Sequence, residues 1–168
     1  MRNWTLIAGV VAGMALSAPA YAQQKVVNKL TPQDYAEIQQ LYARYAWSID
    51  THAENGMVYA NTFTPDGEFQ VGDNKVIGRE RLAPYNLTMG VANRAPTHFN
   101  MNLVVEPLPE GARGRVYLLI VGAQPDAPPK VSTIGTYQDI LVKTAEGWRF
   151  KQKKLYLNAM PPASSASN

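Results

Sequence analysis

Residues 97–158 hold four long β-prone runs that come after the chain's helical patterns and do not alternate with them, and this order limits the fold more than any other feature. Thr97–Glu106, Arg113–Ala123, Val131–Thr144 and Trp148–Asn158 are rich in Val, Ile, Tyr and Phe and are divided by Gly or Pro turns, as consecutive antiparallel strands are. Ahead of them, Thr31-Pro32-Gln33-Asp34 supplies an N-cap threonine, a proline at the first helical position and an acid in the first turn, so a helix should start there. Tyr35, Ile38, Tyr42, Tyr45 and Ile49 then recur at three- and four-residue steps as a core-facing stripe, with Gln39, Gln40, Arg44 and Ser48 off it. Glu54 to Thr62 suits a second short helix, and Pro65-Asp66-Gly67 reads as a turn leading into a strand at Glu68–Val71. Gly72-Asp73-Asn74 connects to a short strand at Lys75–Ile77, and Arg79 to Val91 suits a third helix that Pro84 should force to start near itself. Helices first and a strand meander after them predict an α+β fold, a curved antiparallel or mixed sheet closing on the N-terminal helices around a pocket.

The ends of the chain read differently. Arg2, the apolar run Leu6 to Leu16 and the small-residue site Ala20-Tyr21-Ala22 form a secretory signal over residues 1–22, so the mature protein is expected to be exported, periplasmic or secreted, without a membrane anchor. Residues 23–30 read as a leader, 31–158 as one domain, and 159–168, with two prolines and repeated Ser/Ala, as a disordered tail. Without Arg2 there are 15 basic against 13 acidic residues, scattered except at Lys151, Lys153 and Lys154, which gives no sign of a nucleic-acid surface. The absence of cysteine excludes disulfides, thiolate metal sites and a cysteine nucleophile.

Two ionisable residues carry the chemical interest. Asp50 closes the first helical pattern at the border of its apolar stripe, and His98 opens the strand Thr97-His98-Phe99-Asn100-Met101-Asn102; a helix packed on that strand could place a carboxylate beside an imidazole, the usual construction of a positioned base. The two-residue period puts His98, Asn100 and Asn102 on one face of the strand, polar for a core, and Phe99, Met101 and Leu103 on the other. Each residue also has a plain structural reading. His98 could be a satisfied strand histidine, Asp50 a helix-end residue, Tyr45 a packed aromatic, and the lysines around Lys153 a solvated strand edge. A metal site of Asp50, His52 and His98 lacks ligand spacing.

The succession Leu41-Tyr42-x-x-Tyr45-x-x-x-x-Asp50, Phe63-Thr64-Pro65-Asp66-Gly67, Gly78-Arg79-Glu80, His98-Phe99-x-x-Asn102 and Gly147-Trp148-Arg149-Phe150 resembles the SnoaL-like branch of the nuclear transport factor 2-like superfamily. The resemblance implies a cone-shaped α+β barrel with an interior pocket, and homo-oligomers formed through the sheet. It also implies that Asp50 and His98 form the Asp/His dyad of scytalone dehydratase, bile-acid dehydratase and lindane dehydrochlorinase, with Tyr45 where the bile-acid enzymes carry a tyrosine. Lys153 falls near a basic residue that some members place in the pocket. On this basis the chain is expected to be a dehydratase-like lyase or isomerase without cofactor or metal, acting on a small hydrophobic, cyclic or polyketide-like carbonyl compound. His98 would be the base, Asp50 its orienting partner and Tyr45 the donor to substrate oxygen, while Asn100, Asn102, Phe63, Tyr85 and Met89 would contact substrate. Trp47, Met101 and Tyr137 are further large side chains that could face inward. Because the superfamily reuses one pocket for many purposes, an exported ligand-binding or assembly protein is the alternative.

Overall fold

Thr31 opens the first helix of the computed structural model, α1 (Pro32–Thr51), within coordinates that describe residues 29–89, 96–124 and 127–158. The Thr31 hydroxyl accepts from the Asp34 amide at 3.2 Å, and the Asp34 carboxylate accepts from the Thr31 amide at 2.9 Å, a reciprocal capping box. The other Asp34 oxygen accepts from Lys143 Nζ at 2.7 Å and Trp148 Nε1 at 3.0 Å, so one side chain ties the helix start to two strands. Burial alone would raise the Asp34 pKa, but the hydrogen bonds from Lys143, Thr31 and Trp148 outweigh it and hold the carboxyl well below its ordinary value. A folded pKa below the unfolded one gives stability that is present above about pH 4 and is lost as pH falls toward the folded value. Asp34→Asn should therefore cost about 1–3 kcal/mol in urea unfolding at neutral pH, and the gap should narrow as pH drops to about 2. A gap that ignores pH would show that the charge is not its source.

The buried stripe of α1 is rotated from the expected one. Tyr35 is 45% exposed, and Asp34, Ile38, Leu41, Tyr42, Tyr45, Ser48 and Ile49 face the core; Ser48 tolerates burial because its hydroxyl donates to the Tyr45 carbonyl at 2.8 Å. Beyond α1 the expected helix over 54–62 is reduced to a 3₁₀ turn (Ala53–Gly56) and one turn of α2 (Met57–Ala60). Here Glu54 and Asn55 have positive φ, and Gly56, at φ 83°, packs so closely that a Cβ would lie 2.2 Å from the Ala83 carbonyl oxygen. Strand β1 (Phe63–Val71) begins before Pro65-Asp66-Gly67, so the expected turn is an irregularity inside a strand, marked by a register shift between Phe63 and Glu68. After β2 (Asn74–Ile77), helix α3 (Arg79–Asn86) starts five residues ahead of Pro84. The proline removes one interior hydrogen bond, while the Arg81 and Leu82 amides anchor the first turn on the Gly78 carbonyl. Val91, the expected end of that helix, lies outside the described residues.

The long strands β3 (Pro96–Leu108), β4 (Gly111–Gln124), β5 (Ala127–Thr144) and β6 (Gly147–Leu157) follow as an antiparallel meander. Sheet order is β2-β1-β6-β5-β4-β3, with β1 parallel to β6, so the sheet is mixed, with β2 and β3 at its edges, and does not close. Register shifts in the β3–β4, β4–β5 and β5–β6 pairs curve it, and α1 packs across β3 and β6. Tyr45 sits at the centre of the core, with ring centroids 5.4 Å from Tyr59, 6.1 Å from Phe63, 5.9 Å from Tyr137 and 5.4 Å from Phe150. Leu30, from the expected leader, is buried against this core. The expected signal at 1–22 and tail at 159–168 lie outside the described residues, and among the described residues no helix is long and apolar enough to cross a membrane.

Candidate active site

Asp50 is the penultimate residue of α1 and His98 the third of β3, and the packing of that helix on that strand brings them together. His98 Nδ1 donates to Asp50 Oδ1 at 2.5 Å, and the His98 main-chain amide donates to Asp50 Oδ2 at 3.1 Å. The two side chains are 8% and 19% exposed. With both carboxylate oxygens engaged, the imidazole plane is fixed and its tautomer set, which leaves Nε2 to take a proton. The helix end is capped by His52, in the left-handed conformation, and not by Asp50. His52 Nε2 bonds the Met89 carbonyl at 2.8 Å, away from the pair, and among the described residues no three His, Cys, Asp or Glu are grouped to hold a metal.

His98 lines a cavity of about 350 Å³. Ile49, Phe69, Val71, Leu118, Ile120 and Leu155 give it an apolar wall, with Met89 and Pro96, and its polar groups are His98, Tyr85, Tyr137 and Ser132. Apolar walls with a few polar groups are the composition of small-molecule sites. Among the described residues that line it there is no Lys, Arg, Asp or Glu.

Of the residues expected to contact substrate, Tyr85 and Met89 line this cavity. Phe63 does not. It is 0% exposed, stacked among Tyr45, Tyr59 and Phe150 in the core. Tyr45 is also behind the wall, 1% exposed, its hydroxyl donating to the Tyr137 hydroxyl at a long 3.5 Å. Asn100 turns to α1, donating from Nδ2 to the Tyr42 carbonyl at 3.3 Å. Asn102 leaves the inward face altogether. Met101 pairs with Tyr117 but Val104 with Arg115, so β3 carries an extra residue there, with Asn102 at φ 57°; Asn102 is exposed and Leu103 turns inward. Trp47, 72% exposed, and Met101, 40% exposed, face outward.

Lys153 is the largest departure from expectation. It is 0% exposed in a central strand, its Nζ donates to Asp139 Oδ2 at 2.7 Å, and the ammonium lies 3.8–4.6 Å from the ring centroids of Tyr42, Tyr45, Tyr137 and Phe150. The Tyr42 hydroxyl donates to the same Asp139 oxygen, reaching it over Gly114, where a Cβ would lie 2.1 Å from that hydroxyl. Burial penalises both charges: it lowers Lys153 to about 8, against the pull of Asp139, and raises Asp139 despite Lys153 and Tyr42. Tyr137, Asp139 and Leu141 share one face of β5 by the two-residue period, a signal that Asp139 is interior. Lys153 gives no such signal. Leu141 pairs with Phe150 and Ile140 with Gln152, so Lys151 is an inserted residue that shifts the inward set from Trp148 and Phe150 to Lys153 and Leu155.

Comparison with known proteins agrees with this geometry at the level of fold. Residues 31–154 match the family described as the SnoaL-like domain, and no curated protein matches the chain. A protein of unknown function from Mycobacterium tuberculosis is 29% identical, with a TM-score of 0.68 over 77% of this chain and 78% of its own. ActVI-ORFA from Streptomyces coelicolor is 19% identical, with a TM-score of 0.67 over 74% and 96%. A protein of Novosphingobium aromaticivorans that bears a provisional scytalone dehydratase name is 22% identical, with a TM-score of 0.65 over 76% and 85%. The matched span takes in α1 with Asp50, β3 with His98 and the sheet as far as Lys154 in β6, and the chain belongs to the SnoaL-like domain family of the nuclear transport factor 2-like superfamily.

Proposed function

We propose that this chain is an exported lyase or isomerase that needs no cofactor and removes a carbon-bound proton beside the carbonyl of a small cyclic compound. The observation that carries the proposal is the Asp50–His98 pair, bonded at two points, at the wall of an apolar cavity. His98 Nε2 takes the proton, and the C–H electron pair moves toward the carbonyl as an enolate. Asp50 steadies the imidazolium that forms. The enolate re-forms its carbonyl and expels a β-hydroxyl, which leaves with the proton held on His98; water departs and the imidazole returns neutral. Without a leaving group, the proton returns to another carbon and the product is an isomer. The dehydratase name on one structural neighbour is consistent with the first course. We further propose a homo-oligomer, supported by the outward exposure of Phe99, Met101, Tyr117, Ile134 and Leu157 on the sheet.

The test is turnover of one- and two-ring β-hydroxy ketones and β,γ-unsaturated ketones, followed by absorbance of the conjugated product and by deuterium uptake from D₂O at the α-carbon. The native protein should accelerate one of these and His98→Ala should not. If compounds raise the melting temperature but show neither exchange nor turnover, the chain is the non-catalytic binding protein instead.

A further inference from the structure

We propose that Tyr137 is the hydroxyl that meets a ligand oxygen in this cavity, and that Tyr45 and Lys153 are positioning residues behind it. Tyr137 lines the cavity and is 2% exposed, so a hydrogen bond it makes there is formed away from water, where such bonds are strongest. Its contact with the Tyr45 hydroxyl is long, 3.5 Å, so the Tyr137 hydrogen is not committed to it and can turn to a ligand in the cavity. Burial pushes the Tyr137 hydroxyl above its ordinary pKa, so it keeps that hydrogen. Lys153 Nζ lies 3.8 Å from the Tyr137 ring centroid, the shortest of its four ring contacts; a cation on the ring face fixes the ring and draws density from it, making the O–H a better donor. Strand register adds rigidity, with Tyr137 paired between Val116 and Leu155.

The other two hydroxyls are less suited. Ser132 donates its hydrogen to the Ile120 carbonyl at 3.1 Å, and Tyr85 is only half-buried, its ring tilted against Phe69 with centroids 5.7 Å apart. The ligand class follows from the lining. A cavity of about 150 Å³ takes benzene, so one of about 350 Å³ takes roughly two fused rings, and with no charged side chain among the described lining residues its anchor is a neutral oxygen, phenolic or ketonic. In turnover, a point that rests on the proposed reaction, the same O–H would stabilise the enolate oxygen while His98 holds the proton.

Naphthalene and 2-naphthol separate the hydroxyl contact from the apolar fit. The native protein should bind 2-naphthol about tenfold more tightly than naphthalene, measured by calorimetry or naphthol fluorescence. Tyr137→Phe should remove that preference and leave naphthalene binding unchanged, and Tyr45→Phe should reduce it by about threefold. A structural role alone would shift both probes together. Equal affinities in the native protein, binding of neither probe, or a preference lost in Tyr85→Phe and kept in Tyr137→Phe would each overturn the assignment. Because neither probe reacts, a failure to find turnover would remove the proposed reaction and leave this result standing.

Discussion

Lys153→Met should cost about 3–5 kcal/mol of folding stability. Methionine nearly matches lysine in volume, so the cost is not a cavity. It arises because Asp139, 0% exposed, loses the cation that offsets its burial and keeps only neutral donors, the Tyr42 hydroxyl and the Lys154 main-chain amide. Asp139→Leu should cost a similar amount by leaving the ammonium among four rings with no anion. The double variant should be more stable than either single one, since an apolar pair needs no desolvation of charge. Urea midpoints of the four proteins measure this. Lys151→Met is the control: its pair with Asp66 is exposed on both sides and should be worth under about 1 kcal/mol. A Lys153 variant as mild as that control would mean that the buried pair is not formed in solution.

The way sequence and structure diverge at Lys153 also explains what could be read in advance. The α+β order, the start of α1 at Thr31 and the four long strands were legible because caps, periods of 3.6 and 2, and glycine turns are local signals. The Asp50–His98 contact was legible because it needs only the helix end and the strand start to pack together. Bulges were not legible. One inserted residue in β3 sends Asn102 outward, and one in β6 sends Lys153 inward, and neither has a sequence marker, because register is decided by the partner strand. Tyr45, correctly interior by periodicity, lies one layer behind the cavity, because a stripe says which side of a helix is buried, not how deep the neighbouring strand leaves it.

On a compound that the native protein turns over, His98→Ala should lower kcat by about 10²–10⁴-fold, the usual worth of a positioned general base. Its melting temperature should hardly change, since the removed ring borders a cavity and the Asp50 carboxylate remains partly solvated at 19% exposure. Asp50→Asn tests whether the pair works as a unit. An amide in place of the carboxylate presents a donor or a neutral acceptor to Nδ1, so it neither enforces the Nδ1–H tautomer nor steadies the imidazolium. Its effect should fall on kcat with KM little altered, because Asp50 does not line the cavity and acts through His98. The double variant then decides the mechanism. If His98 is the base and Asp50 serves it, removing both should cost no more than removing His98 alone, since a carboxylate with no imidazole to orient contributes nothing further. Losses that multiply would mean that Asp50 acts on the substrate independently, and an Asp50→Asn variant with native kcat would leave the carboxylate as a structural tie between α1 and the His98 amide.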